Sequence, residues 1–281
     1  MMRFAAGTGS ALQQEGTLTM DNSRRSFLAL AAFAGLAAAA LPLTSADAGI
    51  LDELKGGQRT LIVGTDATFP PFEETSTSGE KSGFDIDLVN AIAAKIGIKK
   101  IEFQQVPFRE LVPSLQAKHI DLAASAIYIT DERKKVVDFS EPYFSGGLSV
   151  MLKPDDNSVA KAADLDGKRL SVQVGTKSVD YLKQTYPKAE LVVNQTNDQM
   201  FQALQSGRAD AVVTGYPAAR YYIKVHGGAK LADFLLTNEN YGYAVRKDDP
   251  DLLKAIDGAL DALKKDGTIK GIQEKWFGSA S

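Results

Sequence analysis

The chain has no cysteine, two histidines and one tryptophan among its 281 residues. Without cysteine it forms no disulfide, whatever the redox compartment. Both histidines, His119 and His226, sit in turn-like segments beside Lys and Gly and are expected at the solvated surface. No residue cluster has metal-ligand spacing and no Ser/His/Asp arrangement is apparent, so neither metal nor cofactor is expected. Charge of one sign is also scarce. Thirty-two Lys and Arg against 35 Asp and Glu leave a net charge of −3. That balance favours neither nucleic acid nor an anionic membrane as a partner. No apolar run reaches the roughly 20 residues of a membrane-spanning helix.

The longest such run, residues 27–41, has another use. It follows Arg24 and Arg25 and precedes Pro42 and the small-residue site Ala46-Asp47-Ala48, which is the layout of a cleavable export signal. Ser23-Arg24-Arg25-Ser26-Phe27-Leu28 also fits a twin-arginine signal, with an ordinary secretory signal as the alternative. Met20 stands where such a signal begins, which makes residues 1–19 an extension. Cleavage after Ala48 leaves residues 49–281, enough for one large or two small domains. No cysteine follows the cleavage site to carry a lipid, so the expected product is free in the periplasm.

Past the signal, strand and helix patterns alternate. Leu61-Ile62-Val63 reads as a buried strand. Leu88, Val89, Ile92 and Ile96 follow helical spacing, and Gly97 supplies the stop. Residues 100–106 form a second strand, 112–117 a short helix with Pro113 in its first turn, and 121–124 a third strand. The order β-α-β-α-β implies an α/β fold with a mostly parallel sheet. The pattern then recurs. Leu115-Gln116-Ala117-Lys118-His119-Ile120-Asp121-Leu122-Ala123-Ala124-Ser125 is echoed from Leu204 to Thr214 with the Leu-Gln pair, the Asp and the closing hydroxyl in register. Two similarly built lobes would face their strand ends across a cleft, where α/β proteins bind ligands. The second lobe is expected to hold strands at 168–174, 191–194 and 211–214. Its helices are expected at 178–186, from Thr196 with a capping box, and from Pro217. A strand at 241–246 and two C-terminal helices follow.

Two segments point to chemistry. Asp66 and Phe69 lie just past the carboxyl end of the first strand, followed by Pro70-Pro71-Phe72 and Gly83-Phe84-Asp85. In Thr130-Asp131-Glu132-Arg133-Lys134-Lys135, Thr130 can cap a helix and the two acids suit its positive end, but Arg133 opposes the macrodipole. A guanidinium at a helix N-terminus makes a carboxylate site, which favours a functional Arg133 beside merely solvated Lys134 and Lys135.

These segments, with Val136-Val137-Asp138-Phe139-Ser140-Glu141-Pro142-Tyr143, Gly175-Thr176-Lys177-Ser178-Val179-Asp180-Tyr181 and Lys275-Trp276-Phe277-Gly278, resemble the periplasmic polar amino-acid-binding proteins of ABC importers, glutamine-binding proteins among them. The resemblance covers residues 58–278. It implies a type II two-lobed periplasmic binding protein fold, with lobe 1 at 59–142 and 244–281, lobe 2 at 148–238, and hinge strands at 143–147 and 239–243 beside Gly146-Gly147. It implies a monomer that binds a small amino acid or related carboxylate and presents it to a membrane permease.

By the same resemblance Arg133 clamps the ligand α-carboxylate. Backbone groups of Ser125 and Ala126, with Thr176, complete a polar ring. Phe69 and Phe108 press on the aliphatic part from the rim, and Asp66 reads the head group. Two positions depart from the family pattern. Gly215, after Thr214, replaces an Asp that pairs with the ligand ammonium, and Tyr128 replaces a Ser or Thr. Either Asp66 takes over the ammonium or the ligand lacks one. An enzyme on the same scaffold, similar to cyclohexadienyl dehydratase, is the alternative. Against it, residues 214–220 offer no general acid.

Overall fold

The computed structural model describes residues 49–278. The expected export signal, with Arg24, Arg25 and the expected cleavage site, lies outside the described residues.

Two five-stranded sheets organise the chain. In the first the order is Ile101–Gln105, Leu61–Thr65, Leu122–Ala123, Ala244–Val245, Asp138–Phe139. The first three strands run parallel, and Ala244–Val245 is antiparallel to both its neighbours. In the second sheet the order is Glu190–Asn194, Arg169–Gln173, Ala211–Gly215, Leu148–Leu152, Lys230–Leu235. Again three strands are parallel, and Leu148–Leu152 is antiparallel to both neighbours. The two sheets are thus built to one plan.

The repeated segment explains that likeness. Leu111–Gln116 and Asn197–Gln205 are helices, and each leads into a strand that lies parallel beside Leu61–Thr65 in the first sheet or Arg169–Gln173 in the second. The turn between them takes a positive φ at Lys118 (61°) and at its counterpart Gly207 (76°). The paired aspartates have one structural job. Asp121 accepts the Ile62 amide at 3.0 Å and the Arg59 guanidinium at 2.6 Å. Asp210 accepts the Arg169 amide at 2.9 Å and the Arg169 guanidinium at 2.6 Å. Each pins the start of its strand to the neighbouring one.

Apolar spacing decides the rest. Helix Phe84–Ile96 buries Phe84, Leu88, Val89 and Ile92, and ends where Gly97, at φ 89°, donates to the carbonyls of Ala93 and Ala94. Burying each such side chain stabilises the fold by about 1.5–3 kcal/mol. At Thr196 the capping box is shifted. Its hydroxyl accepts the Gln199 amide at 3.3 Å, but the Gln199 side chain accepts from Gln195, one residue earlier.

The strand expected at 241–246 is two. Asn240–Tyr241 pairs with Phe144–Ser145 in a two-stranded crossover, and Ala244–Val245 belongs to the first sheet. Gly242 separates them, its Cα packed so closely on Ile129 that a Cβ would lie 2.9 Å from its side chain. Gly146 and Gly147 also answer to space. A Cβ on Gly146 would meet the Tyr241 ring, and one on Gly147 would collide with the Thr237 carbonyl. Above this crossover Phe72, Phe84, Phe144 and Phe277 form an aromatic cluster with ring centroids 4.8–5.9 Å apart. Trp276 holds the C-terminal helix to the helix Phe84–Ile96 through a 2.7 Å bond to Asp87.

Candidate functional site

The carboxyl ends of strands from both sheets line one small, largely buried cavity of about 30 Å³, room for about two waters. Of the residues singled out from sequence it brings together Asp66, Phe69, Phe108, Ser125, Ala126, Tyr128, Thr176, Thr214 and Gly215. Arg133 lies outside it, in an adjoining depression that shares Phe108 as a wall.

Asp66 leaves the end of Leu61–Thr65 and is buried. Its Oδ1 accepts from Gln105 at 3.0 Å and from Thr68 at 3.3 Å. Its Oδ2 accepts from the Phe108 amide at 3.3 Å and from Gln173 at 2.6 Å. Gln173 ends a strand of the second sheet, so this last bond crosses the cleft. Gln173 in turn accepts from Asn197 at 3.0 Å, and Asn197 reaches back to Thr68. All four donors on Asp66 are neutral. Burial raises its pKa, and the bonds from Gln173, Phe108, Thr68 and Gln105 oppose that rise.

Ser125 and Ala126 form the floor. The Ser125 hydroxyl accepts the Asp66 amide at 3.1 Å and donates to Glu73 at 2.8 Å. Ala126 holds a left-handed backbone at φ 43°, and its amide donates to Asp85 at 2.8 Å. Such a conformation costs an alanine about 1–2 kcal/mol, so a buried bond to hold it is apt.

Gly215 faces two phenols. A Cβ there would collide with the Tyr241 hydroxyl and stand 3.3 Å from that of Tyr128. The two rings stack at 4.4 Å, Tyr241 donates to Tyr128 at 3.0 Å, and the Gly147 amide donates to Tyr128 at 3.2 Å. Burial pushes both phenols well above their ordinary pKa, so both are neutral. The bulk that Gly215 forgoes is supplied by tyrosine.

Arg133 is set by a shorter helix than its sequence suggests. Asp131–Lys134 is a single turn, capped by Thr130 through a 3.2 Å bond from the Arg133 amide. The macrodipole argument therefore lapses, because Arg133 is as near the carboxyl end of this turn as the amino end. Its guanidinium donates to the carbonyls of Tyr128 at 2.8 Å and Gly175 at 3.2 Å, and lies 5.4 Å from the Phe108 ring centre. Desolvation lowers its pKa to about 10, which leaves it cationic at neutral pH. Gly175 belongs to the second-sheet side, so Arg133 also ties the two sides of the cleft. A Cβ on Gly175 would press on Arg109 at 2.7 Å, a further close approach across it.

Among the lining residues not singled out from sequence are Glu73, Gln173, Lys177, Asn197, Met200 and Tyr241. Gln173 carried one signal, as a polar residue near the end of the strand expected at 168–174, whereas Glu73, an acid after Phe72, carried none. Lys177 is paired with Glu239 at 2.7 Å. Among the described residues no group of acids or histidines could hold a metal ion.

The chain compares with known proteins as follows. The family of bacterial extracellular solute-binding proteins, family 3, matches residues 61–279. L-cystine-binding protein TcyJ of Escherichia coli (strain K12) is 32% identical over 236 residues, 83% of this chain and 88% of that protein. An ancestral arginine-binding protein bound to glutamine is 43% identical with a TM-score of 0.74, covering 78% of this chain and 98% of that one. The ancestral amino acid-binding protein AncCDT-1, a precursor of cyclohexadienyl dehydratase, is 41% identical with a TM-score of 0.76, covering 81% and 99%. Two α/β lobes with matched sheets, their strand ends meeting at one cavity, are the type II periplasmic binding protein fold, and the chain belongs to the bacterial extracellular solute-binding proteins, family 3.

Proposed function

We propose that this chain is the substrate-binding component of an ABC importer and closes around a polar amino acid or related small carboxylate. The observation that carries the reading is the Asp66–Gln173 bond at 2.6 Å, which joins the strand ends of the two sheets across the cavity. A ligand held between such groups ties the lobes together and shifts the population toward the closed form. Arg133 has five donors and uses two of its nitrogens on backbone carbonyls. By turning toward Phe108 it would clamp the ligand carboxylate. Ser125, Ala126 and Thr176 would complete the polar ring, with Phe69 and Phe108 against the aliphatic part. Asp66 is the acid for a ligand cation or amide. Thr214, Gly215 and Tyr128 form the opposite wall.

In this reading residues 59–142 with 244–281 and residues 148–238 are the two lobes, and the strands at 143–147 and 239–243 are the hinge. The chain works as a monomer in the periplasm. It is exported through a signal cleaved after Ala48, by the twin-arginine route that Arg24 and Arg25 fit or by the ordinary secretory one, and it delivers ligand to a membrane permease.

A thermal-shift screen of residues 49–281 against amino acids, keto acids and other small carboxylates tests this. A ligand at 100 times its Kd adds about 2.7 kcal/mol of stability, a readily measured shift. No shift with any of them would refute the reading. The enzyme reading draws on the similarity to AncCDT-1 and on a second acid, Glu73, that lines the cavity besides Asp66, which already accepts four hydrogen bonds. Both Glu73 oxygens are turned inward, one accepting from Ser125 and the other fully covered, so neither is presented to a substrate. Dehydration of a cyclohexadienyl substrate aromatises its ring, and ultraviolet absorbance would detect it. No turnover is expected.

A further inference from the structure

Glu73 and Asp85 are fully buried beside the cavity, and among the described residues neither has a cation to balance it. The titratable groups that face Glu73 are Asp85 from the helix Phe84–Ile96, Asp66 from the first strand's end, and Tyr143, Tyr241 and Tyr243 from the crossover and its return. All are acids or neutral phenols. Glu73 Oε1 accepts the Ser125 hydroxyl at 2.8 Å, and Oε2 is covered and unpartnered if the group is ionised. Asp85 is richly supplied by contrast. It accepts the Ala126 amide at 2.8 Å, the Tyr143 hydroxyl at 3.0 Å and the Tyr243 hydroxyl at 3.3 Å.

We propose that Glu73 is a positioning residue for ligand binding, acting as the acid of an acid–carboxylate pair with Asp85 that fixes the Ser125–Ala126 floor. The proton sits on Glu73 Oε2 and is donated to the Asp85 carboxylate, which gives the orphaned oxygen its partner. Two neighbouring carboxylates without a cation do not both stay ionised in a buried site. Asp85, with three donors of its own, is the one that keeps its charge. Each acid then holds one residue of the floor: Glu73 the Ser125 hydroxyl, Asp85 the strained Ala126 amide. Burial and the Asp85 charge raise Glu73 well above its ordinary value of 4.5, in line with this arrangement.

The consequence for pH has a definite sign. A group whose folded pKa is raised contributes stability that is full below its unfolded value and lost as pH rises through the folded value. Against Glu73→Gln, the folded-to-unfolded ratio of the wild type should therefore fall about tenfold per pH unit above about pH 4.5, until the native group ionises. The ligand arm rests on the proposed amino-acid binding; the other two arms need no ligand.

The test uses residues 49–281. Infrared spectra of the wild type near neutral pH should show the C=O stretch of a protonated carboxyl above the amide band. The band should move when the protein is grown on carbon-13-labelled glutamate and vanish in Glu73→Gln. Denaturant titrations across pH should give the diverging stabilities just described. With L-arginine as probe, or the strongest amino acid of the screen, Glu73→Ala should weaken binding about tenfold or more. Glu73→Gln, which keeps a donor and an acceptor, should recover most of that loss. No glutamate-derived band, parallel pH profiles for wild type and Glu73→Gln, or a Gln variant as weak as the Ala variant would each overturn the proposal. Failure of every amino acid to bind would count against the transport reading while the infrared and stability arms still judge the pair.

Discussion

Gly215 is the position where packing makes the sharpest demand. Its φ of −59° suits any residue, so an Ala there meets no backbone strain. The obstacle is Tyr241. A Cβ would collide with its hydroxyl, and that ring cannot swing aside, because it is buried, stacked on Tyr128 and packed against Phe72 at 5.2 Å. Overpacking of this kind costs about 1–3 kcal/mol. Displacing the hydroxyl also breaks its 3.0 Å bond to Tyr128, for about another 1 kcal/mol. Gly215→Ala should thus lose roughly 2–4 kcal/mol. In a chain of this size each kcal/mol moves Tm by about 2–4 °C, so melting should fall by roughly 5–15 °C. Tyr241→Phe removes the atom in the way, so the double variant should recover most of the loss, a coupling of about 1–2 kcal/mol in a double-mutant cycle. The assay is thermal and urea unfolding of the four proteins without ligand. A Gly215→Ala Tm within a degree or two of wild type, or strict additivity in the cycle, would refute the reasoning.

Other expectations follow from the same contacts. Gly215→Asp alone should be poorly tolerated, but combined with Tyr241→Phe it should tighten binding of an α-amino acid in calorimetry. Weaker binding by the double variant would place the ligand ammonium elsewhere. Arg133→Ala should cost about 1.5–3 kcal/mol of carboxylate-ligand affinity with the fold retained, whereas Lys134→Ala, exposed, should be nearly silent. Asp121→Ala should destabilise by about 1.5–3 kcal/mol in urea titrations, because it removes the buried carboxylate shared by the Ile62 amide and the Arg59 and Arg246 guanidinium groups, although Arg246 keeps Asp249 as a partner. The matching Asp210→Ala, on a pair about one-third exposed, should cost only about 1–2 kcal/mol. Lysine at both Arg24 and Arg25 should stop export, as read by fractionation, and normal export would indicate the ordinary secretory route.

The periodic parts of the chain were legible from residue type alone. Leu61-Ile62-Val63, the Leu88 to Ile96 spacing and the two Leu-Gln to Ser/Thr segments each announce the element they form, because apolar spacing and caps act locally. The break at Gly242 was not, since it depends on Ile129 and Phe139 arriving from elsewhere in the fold. The same holds at the site. Asp66 declares itself by its place after a strand, whereas Gln173 acquires meaning only once two strand ends meet. Arg133 was found through an argument about helix polarity that a one-turn helix does not support. What the geometry offers instead is a guanidinium resting on carbonyls from both sides of the cleft. Glu73 was passed over because an acid beside Phe72 has no sequence mark that it will end up buried beneath Ser125.

The central claim is that a small polar ligand binds between the two sheets and is held by groups of both. Amide hydrogen exchange of residues 49–281, with and without the strongest ligand of the screen, tests it directly. Protection should rise together at Ser125 and Ala126 on the first side and at Thr176, Lys177 and Gly215 on the second, and in the crossover strands only modestly. Protection confined to one sheet, or centred away from this cavity, would contradict the account.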